Sequence, residues 1–100
     1  MNATYALKEI QSKVTEEQYH ITISALQGAQ QMGLGQEDIT ECISELQDSH
    51  FYKTMPSEKI PGLWQDVYRV RFLCQRVYLK VQISVQGYVK VISFKEDDSI

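Results

Sequence analysis

Two cysteines in 100 residues are too few to staple a fold. Cys42 and Cys74 stand 32 residues apart, so they are not the close CxxC pair of a redox or zinc motif. The two histidines, His20 and His50, complete no zinc site with these thiols at any usual spacing. Proline and glycine are sparse, at two and five, and no collagen-like period is present. No apolar run approaches the roughly 20 residues of a membrane helix. The segment Met1-Asn2-Ala3-Thr4-Tyr5 lacks the basic and apolar regions of a signal peptide. What remains is an ordinary globular balance, 43% apolar and 23% charged, which excludes a disordered tail. The expectation is one soluble, cytoplasmic domain over residues 1–100 with no membrane partner.

The net charge of −3 argues against nucleic acid, but the charges are segregated. Residues 1–50 carry two basic and eight acidic side chains, a net of −6. Residues 51–100 carry eight basic and five acidic ones, a net of +3. Within 53–95 the same eight cations face only Glu58 and Asp66, a net of +6. A segment so unbalanced attracts a polyanion even in an acidic chain. A solvated sheet face opposite an acidic helical layer has the same pattern.

Periodicity divides the chain into helices first and strands second. Leu7, Ile10 and Val14 predict a short helix over about 4–13. Tyr19-His20-Ile21 reads either as extended or as the lead into a second helix, whose apolar face is Ala25, Leu26, Ala29 and Met32. Gly33 suits the position after that helix. Ile39, Cys42, Ile43 and Leu46 predict a third helix over about 36–47, with Glu37 and Asp38 at its positive end. From residue 50 the period becomes two. Strands are predicted over Trp64–Phe72, Val77–Val85 and Tyr88–Lys95, and Pro56 and Pro61 bound the preceding loop. The fold class is α+β, with a helical half over about 1–48 packed on an antiparallel meander over about 50–95 and an acidic tail at 96–100.

A two-residue turn at Gln86-Gly87 pairs Leu79 with Phe94, Val81 with Ile92, Tyr78 with Lys95 and Lys80 with Ser93. A turn at Cys74-Gln75 pairs Arg71 with Tyr78 and Arg69 with Lys80. Arg69, Arg71, Tyr78, Lys80 and Lys95 then share one face. Gln65 shares it too, six residues or roughly 20 Å from the level of Tyr78.

A cationic face bearing a phenol suits a phosphodiester. Cleaving RNA without metal requires removing the 2′-OH proton and stabilising charge on the phosphorane. Arginine and lysine meet the second need. Tyrosine meets the first if its pKa, ordinarily about 10, is lowered by Lys95, Lys80 and Arg71. Plain cross-strand packing of Tyr78 and Lys95 is the alternative. Nothing places His20 beside His50 as a catalytic pair. Cys42 reads as core and Cys74 as a turn residue without a role. Trp64, Tyr68 and Phe72 are expected to pack under the helices.

The segments Phe51-Tyr52-Lys53-Thr54-Met55, Trp64-Gln65-Asp66-Val67-Tyr68-Arg69-Val70-Arg71, Val77-Tyr78-Leu79-Lys80 and Val91-Ile92-Ser93-Phe94-Lys95 together resemble the MqsR (motility quorum-sensing regulator) toxins of bacterial type II toxin–antitoxin modules. The resemblance is strong over about 51–95. It is weaker in the helical half, where Ser24-Ala25-Leu26 and Met32-Gly33-Leu34 carry it.

The resemblance implies a RelE-like fold and a metal-independent mRNA endonuclease without cofactor. It implies Lys53, Gln65, Tyr78 and Lys95 as the active residues. The implied partner is an MqsA-like antitoxin with a zinc-binding part and a helix-turn-helix part, and the ribosome is a further candidate. Arg69, Arg71 and Lys80 are added from the register as RNA contacts. The chain departs from the family pattern at Val70, where proline is frequent. It departs also in a hairpin longer by two residues between Tyr78 and Lys95, and in its acidic helical half and tail. The alternative function is a non-catalytic RNA-binding or protein-interaction module using the same face.

Overall fold

The computed structural model describes residues 2–98. Helix α1 (Leu7–Thr15) is followed by strand β1 (Tyr19–Ile21) and helices α2 (Ile23–Gln31) and α3 (Gln36–Glu45). A single 3₁₀ turn at Asp48–His50 leads into β2 (Phe51–Pro56), β3 (Trp64–Phe72), β4 (Gln75–Ile83) and β5 (Val89–Glu96). The five strands form one sheet in the order β1-β5-β4-β3-β2. All neighbours are antiparallel except β1, which runs parallel to β5. This is the expected α+β, RelE-like arrangement of helices on a mainly antiparallel sheet. No helix among the described residues is long and apolar enough to cross a membrane.

Each helix is built by its apolar stripe. Ile10 and Val14 of α1, Ala25 and Ala29 of α2, and Ile39, Cys42 and Ile43 of α3 are buried. They meet Tyr68, Phe72, Val77, Leu79, Val81, Val91 and Phe94 from one side of the sheet. The first helix begins three residues later than expected because Thr4 and Tyr5 are tied elsewhere. Their backbone N–H groups donate to the buried carboxylate of Asp66 at 3.0 and 2.9 Å. The ambiguous segment Tyr19–Ile21 is a strand, and Thr22 after it caps α2 by accepting from Ala25 N–H at 3.0 Å.

Because β1 pairs only with Val89, Lys90 and Val91, it leaves the rest of the β5 edge uncovered by strand. Thr22 and α2 close that edge. Thr22 N–H and Oγ1 donate to the carbonyls of Val91 and Ile92 at 3.1 and 3.0 Å. Nearly two turns further on, α2 approaches so closely that a Cβ on Gly28 would lie 2.0 Å from the Phe94 carbonyl oxygen. Only glycine fits there.

The strand registers differ from expectation in three places. The β3–β4 turn is Leu73-Cys74, both residues at positive φ (50° and 64°), rather than Cys74-Gln75. Arg69 therefore faces Tyr78, Val67 faces Lys80 and Arg71 faces Arg76. The slip is two residues, so every side chain keeps its face. The β4–β5 connection is a three-residue loop, Val85-Gln86-Gly87, closed by Gly87 N–H donating to Ser84 O at 2.9 Å, with Gly87 at φ 90°. This is the three-residue hairpin that places glycine in the left-handed region. The register then shifts by one at a bulge between Lys80 and Val81, so Val81 faces Val91 instead of Ile92. Below the bulge, Leu79–Phe94, Tyr78–Lys95 and Lys80–Ser93 pair as expected.

Candidate active site

The face of the sheet turned away from the helices carries three cross-strand rows. The first contains Arg69, Tyr78 and Lys95. The second contains Lys53, Val67, Lys80 and Ser93. Met55 and Gln65 on one side, with Gln82 and Lys90 on the other, form the third. Strand alternation, together with the bulge opposite Lys80 and Val81, puts Lys53, Gln65, Tyr78 and Lys95 on this one face. The corrected register also brings Gln65 closer. It lies four residues from Arg69, the partner of Tyr78, or about 13 Å rather than 20 Å along the strand.

A second bulge, in β2 between Phe51 and Lys53, adds Tyr52 to the first row. The Arg69 guanidinium lies 4.7 Å from the Tyr52 ring centre and Lys53 Nζ lies 5.4 Å from it. Lys95 Nζ lies 5.0 Å from the Tyr78 ring centre. These are cation–π distances, and they hold three cations and two phenols within one patch.

Asp97 of the acidic tail takes part in this patch, whereas Glu96 and Asp98 are exposed. Asp97 is 7% exposed, and its Oδ2 accepts from Arg69 Nε at 2.7 Å. That hydrogen bond is the chief reason the Arg69 pKa rises above its ordinary value. Arg69, expected as an RNA contact, is thus held by Asp97 and stacked on Tyr52. Arg71 and Arg76 are exposed beyond it.

The expected lowering of the Tyr78 pKa is overturned. Burial of the phenol pushes it up, and the Tyr52 and Asp97 charges add to the rise. The cations do not win because Asp97 sits against Arg69 and because Arg71 faces Arg76, one row farther from Tyr78. Tyr78 is therefore a phenol at neutral pH, a proton donor. The group displaced toward its neutral form is Lys80. Burial lowers its pKa first, then the charges of Lys95 and Lys53, against an opposing effect of Glu58.

A groove of about 360 Å³ opens beside the third row, with Gln65, Lys80, Gln82 and Lys90 on its floor and the loop after β2 along one wall. Among the described residues no three His, Cys, Asp or Glu side chains stand together as metal ligands. His20 lies on β1 and His50 in the 3₁₀ turn, where its Nδ1 accepts from Gln47 N–H at 2.9 Å, and they line different depressions. Cys42 is buried with its thiol pKa pushed up to about 12 by desolvation, whereas Cys74 is exposed. Tyr68 and Phe72 lie under the helices as expected, but Trp64 is 43% exposed at the end of β3. Sequence reasoning missed Tyr52, Gln82 and Asp97. Gln82 was legible as a polar residue two positions from Lys80 on the same strand face. A bulge and a folded-back tail leave no periodic trace.

Helices on one side of the sheet and a cationic, phenol-bearing surface on the other are consistent with a RelE-like toxin fold. Sequence comparison narrows that class. The family described as "Motility quorum-sensing regulator, toxin of MqsA" matches residues 2–96. The mRNA interferase toxin MqsR of Escherichia coli (strain K12) is 39% identical over 90 residues, 90% of each chain. The chain belongs to the MqsR toxin family.

Proposed function

We propose that this chain is an endoribonuclease toxin that cuts mRNA on the open face of its sheet, without metal, and so inhibits translation and growth. Family membership supports the toxin and ribonuclease activities. The observation that carries the chemistry is the Tyr78–Lys95 pair, with Lys53 and Lys80 in the next row. The ribose 2′-OH attacks its own 3′-phosphate, forming the 2′,3′-cyclic phosphate and releasing a 5′-OH. Tyr78, held protonated, gives its proton to the departing 5′ oxygen. The free-amine fraction of Lys80, raised by burial and by the Lys95 and Lys53 charges, takes the 2′-OH proton. Lys95 and Lys53 stabilise the charge that grows on the phosphorane. Gln65 orients the substrate, and Arg69 and Arg71 contact flanking phosphates. An MqsA-like antitoxin, with a zinc-binding part and a helix-turn-helix part, neutralises the toxin.

The test is cleavage of a 5′-labelled RNA in EDTA by the purified protein, Tyr78→Phe and Lys95→Ala, with and without ribosomes. Wild type is expected to give discrete fragments ending in cyclic phosphate. Tyr78→Phe should lose about 10²–10⁴-fold in rate while binding RNA as before, because one hydroxyl is removed from the chemistry and little from the surface. Intact RNA under every condition, with binding retained in both variants, would replace this reading with a non-catalytic RNA-binding module.

A further inference from the structure

We propose that the groove beside the catalytic patch is a nucleobase pocket, and that Gln82 reads the base next to the scissile phosphate. The inference rests on the ribonuclease reading above and names what selects its sequence. Gln82 is only 3% exposed, an unusual burial for an amide on a polar sheet face. Its Oε1 accepts from Gln65 Nε2 at 3.2 Å. Among the described residues no group accepts from its amide nitrogen, and no buried side-chain nitrogen or oxygen lacks a partner. That nitrogen therefore keeps contact with solvent, and the space beside it is the groove Gln82 lines.

With Gln65 Nε2 donating to Gln82 Oε1, the N–H donors of Gln82 and the amide oxygen of Gln65 remain for a ligand. A neighbouring donor and acceptor is what a base edge offers. Glutamine pairing with N6 and N7 of adenine is the familiar case. The groove volume of about 360 Å³ falls within the range of small-molecule pockets. Met55 and Ile60 give it apolar wall for a ring, and Lys90 gives it a cation for a phosphate. Gln82 lies four residues along β4 from Tyr78, about 13 Å, and Lys80 lies between them. A strand lying along the face with its phosphate at Tyr78 and Lys95 delivers an adjacent base to this pocket.

Two measurements test the proposal. In the first, wild type and Gln82→Met, which keeps the side-chain length but removes both amide atoms, cleave a random-sequence RNA pool. The readout is the ratio of rates between preferred and other bases at each position around the cut. Gln82→Met is expected to collapse that ratio at one neighbouring position by about 5- to 150-fold, the discrimination of a bidentate amide contact. An unchanged ratio at every position overturns the proposal. In the second, 2′-O-methyl trinucleotides, which lack the attacking hydroxyl, are titrated into isotope-labelled wild type. The Gln82 side-chain amide resonances should shift, most strongly for one base. Cleavage without any such shift refutes the pocket and leaves the nuclease standing. A base-dependent shift without cleavage refutes the nuclease and leaves the pocket.

Discussion

Replacing Gly28 by alanine adds a single methyl group and should disturb both the fold and the active face. That methyl would sit 2.0 Å from the Phe94 carbonyl oxygen, 3.1 Å from its carbon and 3.4 Å from Lys95 Cβ. The obstruction is backbone, so no side chain can swing aside. Reaching even 3 Å requires α2 and β5 to part by about 1 Å at that point. Overpacking of this kind costs about 1–3 kcal/mol, and a clash with backbone belongs at the upper end. Alanine in mid-helix returns about 1 kcal/mol through its better helix propensity. The net loss is about 2 kcal/mol, or a fall in Tm of about 10 °C for a domain of this size. The displaced strand segment carries Lys95, and a 1 Å misplacement of a reacting group costs up to about 10²-fold in rate. Cleavage per folded molecule should therefore drop tenfold or more. Thermal unfolding by circular dichroism and RNA cleavage at a temperature where the variant is folded measure the two effects. Gly33→Ala is the control, since Gly33 has φ 78° and nothing within 4 Å of a built Cβ. It should lose about 1 kcal/mol through backbone strain and keep its cleavage rate. A Gly28→Ala protein that melts at the wild-type temperature or above would refute the close-approach argument.

Asp97→Asn removes one of the charges that keep Tyr78 protonated, so the alkaline limb of the cleavage pH profile should move to lower pH. It also removes the negative charge that pairs with Arg69, and if Arg69 then neutralises one more phosphate the slope of log binding constant against log salt should steepen by about 0.7 for single-stranded RNA. An unchanged profile and slope would mean that Asp97 acts on neither. Lys80 holds its proton less tightly folded than unfolded, so stability from this group rises with pH from its folded pKa up to the ordinary lysine value. Lys80→Gln should be the more stable protein at pH 7, and urea midpoints should show the advantage shrinking toward pH 10. Iodoacetamide should label Cys74 alone in the native state and Cys42 only after denaturation, because one thiol is exposed and the other is buried with its pKa at about 12. Rapid native labelling at Cys42 would contradict the packing of α3.

Much of this was readable from residues, and the rest has physical reasons for being hidden. The alternation of Val77, Leu79 and Val81 with Tyr78, Lys80 and Gln82 fixes the faces of β4 without any structure. That parity survives the misplaced β3–β4 turn because the slip is two residues. The turn itself was obscured because Leu73 and Cys74 are poor candidates for positive φ, where asparagine and glycine are usual. β1 is three residues long, too short to show a period, and its parallel pairing joins segments about 70 residues apart. Trp64 was misread because its alternation with Gln65 continues to the strand end, beyond the reach of the helices. Charge counting saw the cationic surface but not its internal compensation. Asp97 reaches Arg69 only because β5 brings the chain end back across the sheet.

The extra residue near Ile92 bears on how such chains can vary. The loop at Val85–Gly87 has an odd number of residues, and the bulge below it adds one more. Together they restore the pairing of Tyr78 with Lys95 that a plain two-residue turn would have produced. The hairpin tip is thereby uncoupled from the chemistry. A residue gained or lost at the tip can be absorbed where β5 already deviates, and Lys95 need not change sides. A change in hairpin length is, on this account, a change of reach rather than of reaction.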